Sequence, residues 1–143
     1  MNFIKTIKSE DHEIMEFIKV INARSLQYND VLYGIAKKPN YFILNDSFLI
    51  VKRSQGKKPW WGVGKKYIDI LNEWGGKYFL VLLISGKEGW VYSNNEIKNN
   101  VIDGYWKLRE EDQNYKIYPA VVKDANSFIS HKQFLKKIGI ETI

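Results

Sequence analysis

Two stretches of this chain are apolar at every position: Phe48-Leu49-Ile50-Val51, and the run from Tyr78 through Ile84. Side chains of a β-strand alternate between its two faces. A strand without a polar position has no face to give to water, so it belongs inside a sheet that is covered on both sides. The chain has 143 residues, enough for one domain with a substantial core. The runs around these strands supply the cover. Ile14, Phe17, Ile18 and Ile21 recur at helical spacing behind the acids Glu10, Asp11 and Glu13, which suit the positive end of a helix. With Ser9 as N-cap, this predicts a helix from Glu10 to Arg24. Tyr67, Ile68, Leu71 and Trp74 form a second helical stripe, stopped by Gly75-Gly76.

The strand order follows from the punctuation. Three β-like runs, "VLYGIAKK", "NYFILND" and "SFLIVKRS", occupy positions 31–54, with a turn at Asn45-Asp46-Ser47 between the last two. "KYFLVLLIS" reads as a central strand that turns through "GKEG" into "WVYS". Ser93 and Glu96 have the spacing of a capping box, in which each side chain bonds the other's backbone amide, so a short helix through Asn99 or Asn100 should follow. "YWKLREEDQNYKIYP" fits two short strands around a polar turn. Ser130 to Gln133 repeats the capping box, with Ile129 and Phe134 spaced for a hydrophobic staple and Gly139 ending the last helix. The expectation is one α/β domain over residues 1–143, a central mixed sheet flanked by helices.

Composition removes several functions. There is no cysteine, which excludes disulfides, thiolate metal sites and a cysteine nucleophile. The two histidines, His12 and His131, stand far apart in sequence. The first residues lack the apolar core of a signal peptide, and no segment has the roughly 18 apolar residues of a membrane span, so the chain reads as cytoplasmic with no membrane partner. No Ser-His-Asp set, HExxH pair or calcium loop is present.

Charge is concentrated. The net charge is +6, and the span from Ser47 to Ile68 holds Lys52, Arg53, Lys57, Lys58, Lys65 and Lys66 without one acid. The remaining 16 basic and 16 acidic residues cancel. A cluster of this kind suits a polyanion; the bland alternative is a solvated lysine-rich loop. Within it, Trp60 and Trp61 could stack on bases or anchor the loop on the sheet. Gly56, Gly62 and Gly64 would let backbone amides approach a phosphate. Gly64-Lys65-Lys66 lacks the hydroxyl residue of a Walker loop.

The element order, with Pro39-Asn40 and Ile50-Val51-Lys52, resembles the PD-(D/E)xK, or restriction-endonuclease-like, nuclease superfamily. That core runs helix, three strands, helix, strand, with Pro-Asp on the second strand and acid-x-Lys on the third. The resemblance covers residues 10–92. It implies a phosphodiesterase pocket in which two carboxylates hold Mg²⁺ and a lysine supports the attacking water or the transition-state charge. This chain departs at both acids: Asn40 replaces the first, retaining a carbonyl that could face a metal, and Ile50 replaces the second. Lys52 alone remains. Asp46, in the turn before the third strand, and Glu16, on the first helix, are the candidate replacement carboxylates, with Asp46 and Asn40 as candidate metal ligands.

Three readings stay open. The leading one is a nucleic-acid-binding protein, with DNA as the expected partner, built on a nuclease-like fold with a degenerate centre and without a cofactor. Roles in DNA restriction, repair or mobile-element defence are what the resemblance implies. Its contacts would be Lys52, Arg53, Lys57, Lys58, Trp60, Trp61, Lys65 and Lys66. The second is an active Mg²⁺-dependent endonuclease using Asp46, Glu16 and Lys52. The third is a non-enzymatic module or inhibitor that docks on a protein partner through the Trp-rich basic loop. For Lys52 itself, the plain reading is a strand-end lysine reaching water.

Overall fold

The computed structural model describes residues 11–26, 40–54 and 59–140. Ser9, Glu10, the run "VLYGIAKK", Pro39, Gly56, Lys57 and Lys58 lie outside them. Helix α1, His12–Ile21, is capped by Asp11, whose Oδ1 accepts from the Glu13 and Ile14 amides at 2.9 and 3.2 Å. The helix ends at Ile21 because Asn22 turns left-handed, at φ 62°. Arg24, expected in the helix, instead opens the two-residue strand β1, Arg24–Ser25.

β2 (Tyr41–Leu44) and β3 (Ser47–Arg53) form the expected hairpin, with Asn45 at φ 54° in its turn. β4 (Trp61–Gly64) and α2 (Lys65–Trp74) then cross over to β5 (Tyr78–Leu83). β5 lies parallel to β3, from Phe48↔Tyr78 to Arg53↔Leu83. β6 (Gly89–Ser93) returns antiparallel, and α3 (Asn94–Ile102) follows through a complete capping box: Ser93 N–H to Glu96 Oε1 at 2.9 Å and Glu96 N–H to Ser93 Oγ at 3.3 Å. β7 (Lys107–Arg109) and β8 (Asn114–Ile117) pair as a hairpin. Two 3-10 turns lead to β9 (Ser127–Phe128) and α4 (His131–Lys137). Here the second capping box is only half formed. Ser130 Oγ accepts from the Gln133 amide, but Gln133 Oε1 accepts from Ile129 N–H rather than from Ser130 N–H. Ile129 is 65% exposed, which is no staple.

The protein is α/β. Its main sheet has six strands in the order β1-β2-β3-β5-β6-β9, with β3 and β5 the parallel pair among the described strands. Both faces are covered, as the unbroken apolar strands demand. Leu49 and Val51 point into a core with Ile14, Phe17 and Ile18 of α1 and Phe134 of α4. Phe48 and Ile50 point the opposite way, into a core with Ile68 and Leu71 of α2 and Ile97 of α3.

The second core holds a feature that the basic-loop reading missed. Its far wall is a separate three-stranded antiparallel sheet, β4-β8-β7, which takes Trp61 to Gly64 out of the lysine-rich loop. Trp61 and Val63 alternate inward, while Gly62 and Gly64 take the outward positions. Trp61, Val63, Tyr115 and Ile117 thereby join Ile50, Leu80 and Leu82 in one cluster. The Trp61 indole N–H donates to the Leu83 carbonyl at 3.1 Å, fastening β4 to the end of β5. A buried indole needs such a partner.

Candidate functional site

Lys52 stands one residue from the end of β3, opposite Leu82 of the parallel strand β5. Carboxyl ends of parallel strands are where α/β sheets commonly place ligands. Lys52 is half-buried and shares the face of Ile50, which is fully buried. Its Nζ lies 5.9 Å from the centroid of Tyr41, and the Tyr41 and Tyr67 rings are 5.5 Å apart. Burial, and secondarily the neighbouring Tyr67, pushes the Tyr41 hydroxyl pKa above its ordinary value, so this phenol stays protonated and neutral beside the amine.

Other nominated residues are not brought to Lys52. Asp46 is an exposed turn residue at the start of β3. Six residues of extended strand, at about 3.3 Å each, put it about 20 Å from Lys52. Glu16 lies exposed on α1, which covers the opposite face of the sheet, with its carboxylate against Gly86 in the β5–β6 turn. Asn40 is tied to β3 through its backbone, its carbonyl accepting from Val51 N–H at 2.9 Å. Alternation along β2 gives Asn40 the phase of Phe42 and Leu44, on the α1 side rather than the Lys52 side. The trio of Lys52, Asp46 and Glu16 is thus dispersed, and the Asp46–Asn40 ligand pair with it. Among the described residues, no group of three or more His, Asp or Glu side chains gathers.

The basic cluster is also reshaped. Arg53 points to the α1 side, its Nε 3.2 Å from Asp11 Oδ2. Lys65 pairs with Asp69 one helical turn on, at 2.5 Å, and this hydrogen bond and charge hold its ammonium pKa above the usual value. Lys66 is exposed. Trp61, placed among the nucleic-acid contacts with anchoring as the alternative, is 0% exposed and cannot reach a ligand without unfolding β4. That corrects its assignment: it is the anchor of the small sheet. Trp60 faces outward and is half-buried, with Lys116 Nζ 3.5 Å from its ring centroid, a cation–π arrangement.

Lys116 was not singled out in the sequence, nor were Tyr105 and Lys123, whose amine lies 5.0 Å from the Tyr105 centroid. For Lys116 and Tyr105 the signal was the period-two alternation of "YWKLR" and "NYKIY", which sends every second residue outward; Lys123 lies outside both runs. Compared with known proteins, the chain matches no family model, no curated protein and no solved structure.

Proposed function

We propose that this chain is a nucleic-acid-binding protein of restriction-endonuclease-like fold whose catalytic centre is degenerate. The order helix, strands, crossover helix, parallel strand supports the fold assignment, as α1, β1 to β3, α2 and β5 occur in that order, with β4 of the small sheet inserted between β3 and α2. One observation carries the reading of the centre. Lys52 sits at the carboxyl end of the parallel pair, and the residue sharing its face two positions earlier is the fully buried Ile50. In a nuclease of this type that position supplies a carboxylate to the metal. Without that acid the position offers Mg²⁺ no oxygen ligand, while the lysine ammonium can still attract a phosphate. Asp46 and Glu16, at the far end of β3 and on the other face of the sheet, favour binding over the alternative of displaced carboxylates.

The test is a binding titration run beside a cleavage assay. The protein should bind oligonucleotides equally well in EDTA and in Mg²⁺, and plasmid DNA should survive incubation with Mg²⁺ or Mn²⁺. Lys52→Ala should weaken binding while the thermal melt stays unchanged. Metal-dependent cleavage that is lost in Asp46→Ala or Glu16→Ala would reverse the assignment in favour of an active endonuclease.

A further inference from the structure

The outward face of the small sheet has a pattern that its inward face does not need. Inward go Trp61, Val63, Tyr115 and Ile117. Outward, in cross-strand register, stand Gly62, Lys116 and Lys107. Extending the β4–β8 register by one residue sets Trp60 opposite Tyr118; Tyr105 precedes β7, where its amide and that of Trp106 donate to the Asn100 carbonyl. Tyr118 has extended backbone, at φ -114° and ψ 156°, so the register carries through it. Trp60 and Tyr118 thus share the outward face with Lys116 and Lys107, and Tyr105 lies just before β7. Tyr105 is 49% and Tyr118 52% exposed. Lys116 and Lys123 lie over the Trp60 and Tyr105 rings.

Gly62 keeps the platform low. A Cβ there would stand 3.3 Å from the Trp60 ring, so the glycine leaves room for the indole to lie across the strand. Acids are held at the opposite end of the hairpin, in the turn of Glu110, Glu111 and Asp112. Glu111 is paired with Arg109 there, and Asp112 reaches Lys116 only at 4.0 Å.

We infer that this face is a docking surface for single-stranded nucleic acid, with unpaired bases on Tyr118 and Tyr105 and the backbone phosphates against Lys107 and Lys123, while Lys116 holds the Trp60 ring beneath it. Stacking needs base faces that a duplex hides. This rests on the proposed nucleic-acid-binding function and names its substrate class, while moving the main contact from the end of β3 to the small sheet.

The experiment is fluorescence anisotropy of the full chain with a labelled oligothymidylate and with a duplex of the same length, for the wild type, Tyr118→Ala, Tyr105→Ala, Lys107→Ala and Lys52→Ala. Thermal melts check that each variant is folded; the three replaced groups on this face are exposed, so folding should be retained. The wild type should prefer the single strand. Each Tyr→Ala change should weaken it by about 5- to 150-fold, the usual range for one stacked base. Lys107→Ala should lower the salt slope by about 0.7. If the wild type binds nucleic acid but prefers duplex, or if the tyrosine variants bind like the wild type while Lys52→Ala loses affinity, the docking face is wrong and the broader function survives. Failure of the wild type to bind either nucleic acid at low salt would overturn both.

Discussion

Asp11 and Arg53 join the start of α1 to the end of β3. One carboxylate oxygen of Asp11 caps the helix through two amides, and the other lies 3.2 Å from Arg53 Nε. A single side chain therefore sets where the helix begins and draws away a cation that the sequence placed among the candidate phosphate contacts. Asp11→Ala should cost about 1–2 kcal/mol, mostly from the lost cap. Asp11→Asn keeps the capping oxygen and loses the charge, so it should cost less than about 1 kcal/mol. Denaturant titrations of the two variants separate these contributions.

Trp61 should behave as a core residue. Trp61→Ala should lower stability by about 3–5 kcal/mol. Trp61→Phe keeps most of the apolar contact but abandons the Leu83 carbonyl, at an expected cost of about 1–3 kcal/mol. Binding by whatever fraction of the variant remains folded should be near normal, as measured at a temperature where the melt shows a native baseline.

Carboxylates at the two dispersed positions should be dispensable. Asp46→Ala and Glu16→Ala are exposed changes and should alter stability by less than about 0.5 kcal/mol. Neither should change oligonucleotide affinity in EDTA or Mg²⁺. A loss of more than tenfold in either would show that the residue touches the ligand.

Alkaline pH should destabilise the fold. Burial pushes the Tyr78 hydroxyl from 10.0 up to about 12, and its O–H donates to Asn72 Oδ1 at 2.5 Å. A raised native pKa means the folded state holds the proton more tightly than the unfolded chain. Its stabilising contribution is complete below pH 10 and falls away as pH rises toward 12. For Tyr78 this loss is on the order of 2–3 kcal/mol, and Tyr41, Tyr92 and Tyr115 shift in the same direction. Stability measured at pH 8 and pH 11.5 should differ by more in the wild type than in Tyr78→Phe.

Under the proposed nucleic-acid-binding function, the pairing of Arg53 and Lys65 with acids predicts a modest salt dependence. Lys66→Ala should reduce the slope of log K against log salt by no more than about 0.9 on duplex DNA, one phosphate contact. An unchanged slope would exclude Lys66 from the interface.

Sequence alone determined the layering of this protein. Two strands with no polar position require a sheet covered on both faces, and helical stripes ending at Gly75 and beginning at the Ser93–Glu96 box supply part of the cover. These are local rules of alternation, period and capping, and they operate within a few residues. The β2–β3 turn, the stop of α2 and the start of α3 were legible for that reason. Tertiary structure decided what lies beyond that range. The partners of Arg53 and Trp61 stand 42 positions earlier, at Asp11, and 22 positions later, at Leu83, and no local pattern names them. The loop read as basic and aromatic became, from Trp61 onward, the edge of a second sheet because Tyr115 and Ile117 offered it a partner strand and a core. Which lysines remain to meet a phosphate, and which tryptophan faces outward, are consequences of that pairing. Charge and aromaticity are properties of residues; their availability to a ligand depends on what the folded chain sets against them.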